Sequence, residues 1–260
     1  MMNKEKDWMK KRLGMITASE ASSFMSASGK ITDGVVSYIR SKRFERVHGY
    51  SLPVSSRAMD MGNETEPMIM EWCRANLNFG KDIVYSKDCD EIPFWVASDC
   101  PLGASPDAFL PDESIVIEFK TLVGNEATEF FMDEYTSYVE KTARVFKEHG
   151  DQILAQFASN PKVERIYLIK YAPQRDDIME DTDSPLAPWR GVLFEFKRKE
   201  FVDSIDILKN RVCLIDAMID STKNPMDFKK GDWKLSEDGV LYENSAIKPT
   251  DLAVGVCQCE

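Results

Sequence analysis

Histidine is scarce in this chain. Only His48 and His149 occur in 260 residues, which weighs against a histidine-built metal centre or a Ser-His-Asp triad. The six cysteines, at 73, 89, 100, 213, 257 and 259, lack the spacing of a disulfide framework. They read as reduced thiols in a cytoplasm. Cys257-x-Cys259 has no CxxC partner elsewhere, so a metal site there is disfavoured. Long apolar runs are absent, and no stretch approaches the ~20 residues of a membrane span. The opening Met1-Met2-Asn3-Lys4-Glu5-Lys6-Asp7 leads into no apolar core, so a secretory signal is not expected. No internal repeat or low-complexity stretch occurs.

An excess of positive charge is missing too. With 33 Lys+Arg against 44 Asp+Glu the net charge is −11, which argues against a simple DNA-coating protein. The charge is uneven, however. Residues 1–58 carry eleven Lys/Arg and five Asp/Glu, net +6, leaving −17 for the rest. A basic segment on an acidic body can hold a phosphate backbone, because screening makes near charges matter most. Ordinary solvated helix faces would give the same count.

What is present is a run of chemistry between residues 105 and 120. Ser105-Pro106-Asp107 is followed by Ser114-Ile115-Val116-Ile117-Glu118-Phe119-Lys120. The second stretch is β-branched and apolar and reads as a buried strand. Alternation puts Glu118 and Lys120 on one face and Phe119 on the other. The Leu110-Pro111-Asp112-Glu113 turn folds back the short segment that carries Asp107. Asp107, Glu118 and Lys120 can then meet at one point. Two hard oxygen ligands suit Mg²⁺, and a neighbouring lysine can orient water and offset phosphate charge. A Glu-x-Lys strand can also be a plain solvated face, although the apolar flanks weigh against it.

The coarse order is helices, a run of strands, a helix, two strands and a helix. The pattern predicts an α/β fold, a mixed sheet with helices on its faces. Helices are expected over Trp8–Leu13, Val35–Val47, from Glu66 onward, around Gln152–Phe157 and over 198–221. Strands are expected at 82–87, 93–98, 104–109, 114–120, 164–171 and 191–197, with a flexible loop at 26–34. The connection 124–147 is expected to be partly helical. Thr17 and Glu20 have capping-box spacing. A hairpin is expected from Trp233 to Tyr242 around Asp238-Gly239. Residues 1–223 read as one domain with its core at about 60–200, and 224–260 as an extension.

Other residues can join this chemistry. Glu66 is expected in a helix's first turn, where the dipole favours an anion. Gln152 could hold a water or a phosphate oxygen. Arg12, Ser19 and Ser105 are small or forked donors near turns and suit a terminal phosphate, though serines there are often helix caps.

Four ordered blocks carry a resemblance to a known family. They are Trp8…Arg12-Leu13-Gly14-Met15-Ile16-Thr17-Ala18-Ser19-Glu20, Gly62…Glu66, Ser105-Pro106-Asp107 with Glu118-Phe119-Lys120, and Gln152 ahead of Tyr171-Ala172-Pro173. The set resembles the phage lambda exonuclease group, the YqaJ-type viral recombinases of the PD-(D/E)xK nuclease superfamily. That resemblance implies a restriction-endonuclease-like core and a 5′→3′ exonuclease acting on double-stranded DNA ends. The products would be mononucleotides and a 3′ overhang. It implies Mg²⁺, two ions per site, held by Asp107, Glu118 and the Phe119 carbonyl with Glu66 serving the second; Mn²⁺ is a substitute ion. Lys120 would position or activate water, and Gln152 would order the site. Arg12, Ser19 and Ser105 would hold the 5′-phosphate, and Lys30 and Arg40 are candidates for splitting the duplex end. It further implies a homo-oligomeric ring, a trimer, and a single-strand annealing protein as partner. The setting would be the cytoplasm of a bacterium hosting the phage or prophage. The long acidic connection from Lys120 to Gln152 and the tail after about 224 depart from the family pattern. Competing readings are an endonuclease or junction resolvase, a non-catalytic DNA-end-binding protein, and an iron–sulfur exonuclease that the cysteine spacing disfavours.

Overall fold

The computed structural model of the chain describes residues 2–52, 57–132, 136–173, 191–221, 233–235 and 241–243. In chain order the elements are α1 (Met2–Arg12), β1 (Ile16–Thr17), α2 (Val35–His48), α3 (Arg57–Asn76) and β2 (Val84–Tyr85). Then come β3 (Trp95–Val96), β4 (Leu102–Ala104), β5 (Ala108–Phe109), β6 (Ile115–Thr121), α4 (Asn125–Met132) and α5 (Tyr138–Ser159). The last are β7 (Arg165–Tyr171), β8 (Gly191–Lys197), α6 (Val202–Ser221), β9 (Trp233–Leu235) and β10 (Leu241–Glu243).

A five-stranded mixed sheet runs β2-β5-β6-β7-β8. The pair β6/β7 is parallel and the other neighbours are antiparallel. Parallel neighbours need a crossover, and α4 and α5 supply it. Alternation along β6 and β7 divides the core in two. Val116, Ile166 and Leu168 pack with α5, α2 and α6 through Leu154, Phe157, Ile39 and Val212. Ile117, Phe119, Tyr167 and Ile169 pack on the other side with Ile69, Met70 and Trp72 of α3. The sheet is therefore covered on both faces, and its central strands are apolar on both, as such burial demands.

The expected strand at 104–109 is two strands in two sheets. Pro106 has no N–H to give a ladder, so pairing stops at Ala104 and resumes at Ala108. The first piece, β4, lies between β1 and β3 in a small sheet. Asp107 sits at the changeover. Other boundaries shift as well. The strands expected at 82–87 and 93–98 shrink to two residues each, and the described residues of 124–147 are mostly helical, in Asn125–Met132 and from Tyr138 onward. α5 starts on a true capping box, in which Ser137 Oγ accepts from Glu140 N and Glu140 Oε2 accepts from Ser137 N. The 26–34 loop is closed by a bridge between Met25 and Ile31. Strands β9 and β10 pair antiparallel as expected. Their Asp238-Gly239 turn, the acidic segment 176–183, and Cys257 and Cys259 lie outside the described residues.

Candidate active site

Asp107 and Glu118 are brought together by register. Ala108 pairs with Ile117. Continuing that antiparallel register by one residue sets Asp107 opposite Glu118, on the same face and within side-chain contact. The turn behind it is tight, as Leu110 N donates to Ile115 O at 3.0 Å and Glu113 N to Leu110 O at 2.8 Å. Because β5 is so short, the Phe119 N–H has no backbone partner across that edge. Asp107 Oδ2 takes it at 2.7 Å, so a side chain extends the ladder.

Over this face lies α5, with Glu148, Gln152 and Gln156 spaced i, i+4, i+8 along one stripe. Gln152 Nε2 donates to Glu118 Oε2 at 2.6 Å, and Gln152 Oε1 accepts from Lys120 Nζ at 2.7 Å. Lys120 Nζ stands 4.0 Å from Glu118 Oε2. Gln156 Nε2 donates to Glu118 Oε1 and to Ser105 O. Glu148 pairs with Lys170, which β6/β7 register puts beside Lys120. Sequence reasoning reached Gln152 but missed Gln156; the i, i+4 glutamine pair was the available signal.

The electrostatics fit a cation. Burial raises Asp107 to about 6, aided by the charge of Glu66 and opposed by Lys120. Burial, then the charge of Asp107, pushes Glu118 well above the usual carboxylate range. A buried carboxylate, Glu118, and a half-buried one, Asp107, that repel each other form a hard-oxygen donor pair suited to a divalent ion. His149 is held neutral: burial lowers it to about 3, with Lys120 and Lys170 adding to the effect.

Glu66 differs from its expectation. It lies in the middle of α3, ahead of the internal Pro67, so no first-turn dipole acts on it. It also belongs to the opposite layer, and its charge acts on Asp107 and Glu118. Its Oε2 accepts from Tyr85 Oη at 3.0 Å and Lys87 Nζ at 2.5 Å. Among the described residues, no three Asp, Glu, His or Cys side chains converge as ligands for one ion. Tyr85 and Lys87 were not singled out from the sequence, and nothing in their spacing marks them.

The three phosphate candidates do gather. Arg12 ends α1, its guanidinium 4.4 Å from the Trp8 ring centroid. It donates to Ser19 Oγ at 2.9 Å and Thr17 Oγ1 at 3.4 Å. Trp8 Nε1 donates to Ser105 Oγ at 2.7 Å, while the Ser105 carbonyl meets Gln156. One chain of contacts thus joins Arg12 to Glu118. Gly14 lets the chain turn after α1, since its φ of 73° suits glycine and an added Cβ would meet Arg46 Cγ at 2.8 Å. Thr17 is not a cap: its hydroxyl donates to the Glu20 carboxylate at 2.8 Å and caps no helix N–H. Lys30 is exposed in its closed turn and Arg40 half-buried on α2. No contact joins Lys30 to the acids among the described residues.

The mixed α/β fold is shared with solved exonuclease structures. Three solved structures, of two proteins, share it. An alkaline exonuclease, LHK-Exo, from Laribacter hongkongensis superposes with a TM-score of 0.55 at 18% identity, over 83% of this chain and 94% of that one. Its complex with dAMP gives the same TM-score at 20% identity and the same coverage. A phage-related exonuclease from Haemophilus somnus 129PT gives 0.52 at 14% identity, over 79% of this chain and 95% of that one. No protein-family model and no curated protein matches the chain. No helix among the described residues is long and apolar enough to cross a membrane.

Proposed function

We propose that the chain is a Mg²⁺-dependent 5′→3′ exonuclease of the lambda exonuclease, YqaJ-type group. It degrades one strand of linear double-stranded DNA from a 5′-phosphorylated end to mononucleotides. The 3′ overhang it leaves feeds homologous recombination by strand annealing. The observation that carries this reading is the register that faces Asp107 with Glu118 and sets Lys120 on the same face. The exonuclease fold of the solved neighbours supports it, and one of them is described with a mononucleotide, dAMP.

In this reading Asp107, Glu118 and the Phe119 carbonyl hold one Mg²⁺, and Glu66 serves a second; Mn²⁺ substitutes. Bound there, the metal supplies charge neutralisation at the scissile phosphate and a more acidic water. Lys120 Nζ, aimed by Gln152 Oε1, orients the attacking water and offsets charge on a phosphate oxygen. Gln152 and Gln156 hold both oxygens of Glu118 and fix the carboxylate plane. Arg12 and Ser19 bind the terminal phosphate, and Ser105, tethered by Trp8, lies between that pocket and the acids. In this reading the end of the strand is held a fixed distance from the bond cut. Lys30 and Arg40 contact the duplex. A ring trimer, an annealing protein as partner and a bacterial cytoplasm complete the proposal.

Lys120→Ala and Glu118→Ala are each expected to abolish release of acid-soluble nucleotides from linear duplex, with the fold kept by circular dichroism. Full activity in either folded variant contradicts the assignment.

A further inference from the structure

Lys87 stands where a cation would serve Glu66. Its Nζ is 2.5 Å from Glu66 Oε2, the oxygen that also accepts from Tyr85. The ammonium also lies close enough to Asp107 to stabilise that carboxylate's charge. Of the three acids, only Glu66 is in ion-pair contact with this cation, which also donates to Asn63 Oδ1 at 3.2 Å.

The placement is built rather than incidental. Lys87 occupies the short turn Ser86–Asp88 that follows β2. Ser86 Oγ donates to Pro106 O at 2.6 Å and Ser86 N to Asp107 O at 3.0 Å. Lys4 Nζ donates to the carbonyls of Lys87 and Cys89, at 2.5 and 3.1 Å. The turn bearing Lys87 is thus tied to the turn bearing Asp107 and braced from α1. The side chain itself is 41% exposed, so it can exchange its partner for water at small cost. An ammonium is a compact point charge with three donors. While it sits on Glu66, that carboxylate offers a second metal ion no net charge.

We propose that Lys87 is a built-in competitor for the second divalent ion. The site fills its Asp107/Glu118 position first, and a second ion binds only by displacing the ammonium from Glu66. The inference rests on the metal-dependent nuclease reading.

The test is titration of the full chain with Mn²⁺, read as free Mn²⁺ by electron paramagnetic resonance, with no DNA present. The wild type is expected to bind one ion tightly and a second more weakly. Lys87→Met is expected to tighten the second by about tenfold, the scale of one near charge in a partly solvated site. Lys87→Gln serves as the second variant should Lys87→Met fold poorly. Glu66→Gln is expected to remove the second ion in either background. Unchanged second-ion affinity in both folded Lys87 variants overturns the inference, as does a wild type that binds two ions equally tightly. Asp107→Asn separates the two claims: if it leaves all Mn²⁺ binding unchanged, the metal-site reading itself fails.

Discussion

At the scale of the residue, the feature that sets the proposed chemistry is a buried carboxylate, Glu118, beside a half-buried one, Asp107. Desolvation, then the charge of Glu66, pushes Asp107 up to about 6 from an ordinary 3.8, and Glu118 is shifted in the same direction. A raised folded pKa means that the native state holds the proton more tightly than the unfolded one. The stabilisation from that proton is complete below about pH 4 and is lost as pH rises through about 6. In EDTA the melting temperature is therefore expected to fall between pH 4 and 7, and Asp107→Asn to flatten the fall. Mg²⁺ is expected to restore most of the loss at pH 7 and little at pH 4.5. A pH-independent Mg²⁺ effect counts against a carboxylate site. Gln156 is the other residue to probe. Its buried amide supports Glu118 on one side and the Ser105 carbonyl on the other. Gln156→Ala leaves both acceptors short of a donor, at a cost of about 1–3 kcal/mol. Urea denaturation measures that cost, and slower cleavage with an unchanged KM is expected beside it.

At the scale of the element, the same sequence signature occurs twice with different outcomes. Thr17-x-x-Glu20 and Ser137-x-x-Glu140 both have capping-box spacing. Only Ser137 caps a helix; Thr17 is drawn into the Arg12–Ser19–Glu20 contacts, which offer its hydroxyl a charged acceptor. Ser137→Ala is thus expected to cost about 1 kcal/mol by thermal melting and leave cleavage intact. Thr17→Ala should instead weaken selection of 5′-phosphorylated over 5′-hydroxyl ends. Much of the site was legible locally. Strand alternation put Glu118 with Lys120, and the turn before them brought back Asp107. Glu66 was misplaced because Pro67 reads as a helix start, while the structure carries it inside α3. Lys87 and Tyr85 depend on how separate elements cross, and spacing along the chain does not encode that; Gln156 was marked only by its i, i+4 spacing from Gln152.

At the scale of the whole molecule, a two-faced sheet brings α5 and α3 to opposite sides of β6. Glu118 of β6 meets the glutamines of α5 on one side, with Asp107 just ahead of β5 beside it, and Glu66 belongs to α3 on the other. The alternation of apolar residues made the mixed α/β layering legible in the sequence. The splitting of one expected strand between two sheets at Pro106 was not, because it follows from which edges find partners. The basic charge lies in residues 1–58 and the acidic excess elsewhere, so duplex is expected to engage the face bearing Arg12. The proposed recognition of a DNA end rests on the chain of contacts that joins Arg12 and Ser19, through Trp8, Ser105 and Gln156, to Glu118. The most direct measurement is digestion of a linear duplex carrying a 5′-phosphate on one strand only, in Mg²⁺ or EDTA, beside a closed circle. Loss of the phosphorylated strand alone, with mononucleotide product, Mg²⁺ dependence and an intact circle, is the predicted result. A cut circle, or no cleavage with any divalent metal, would contradict it.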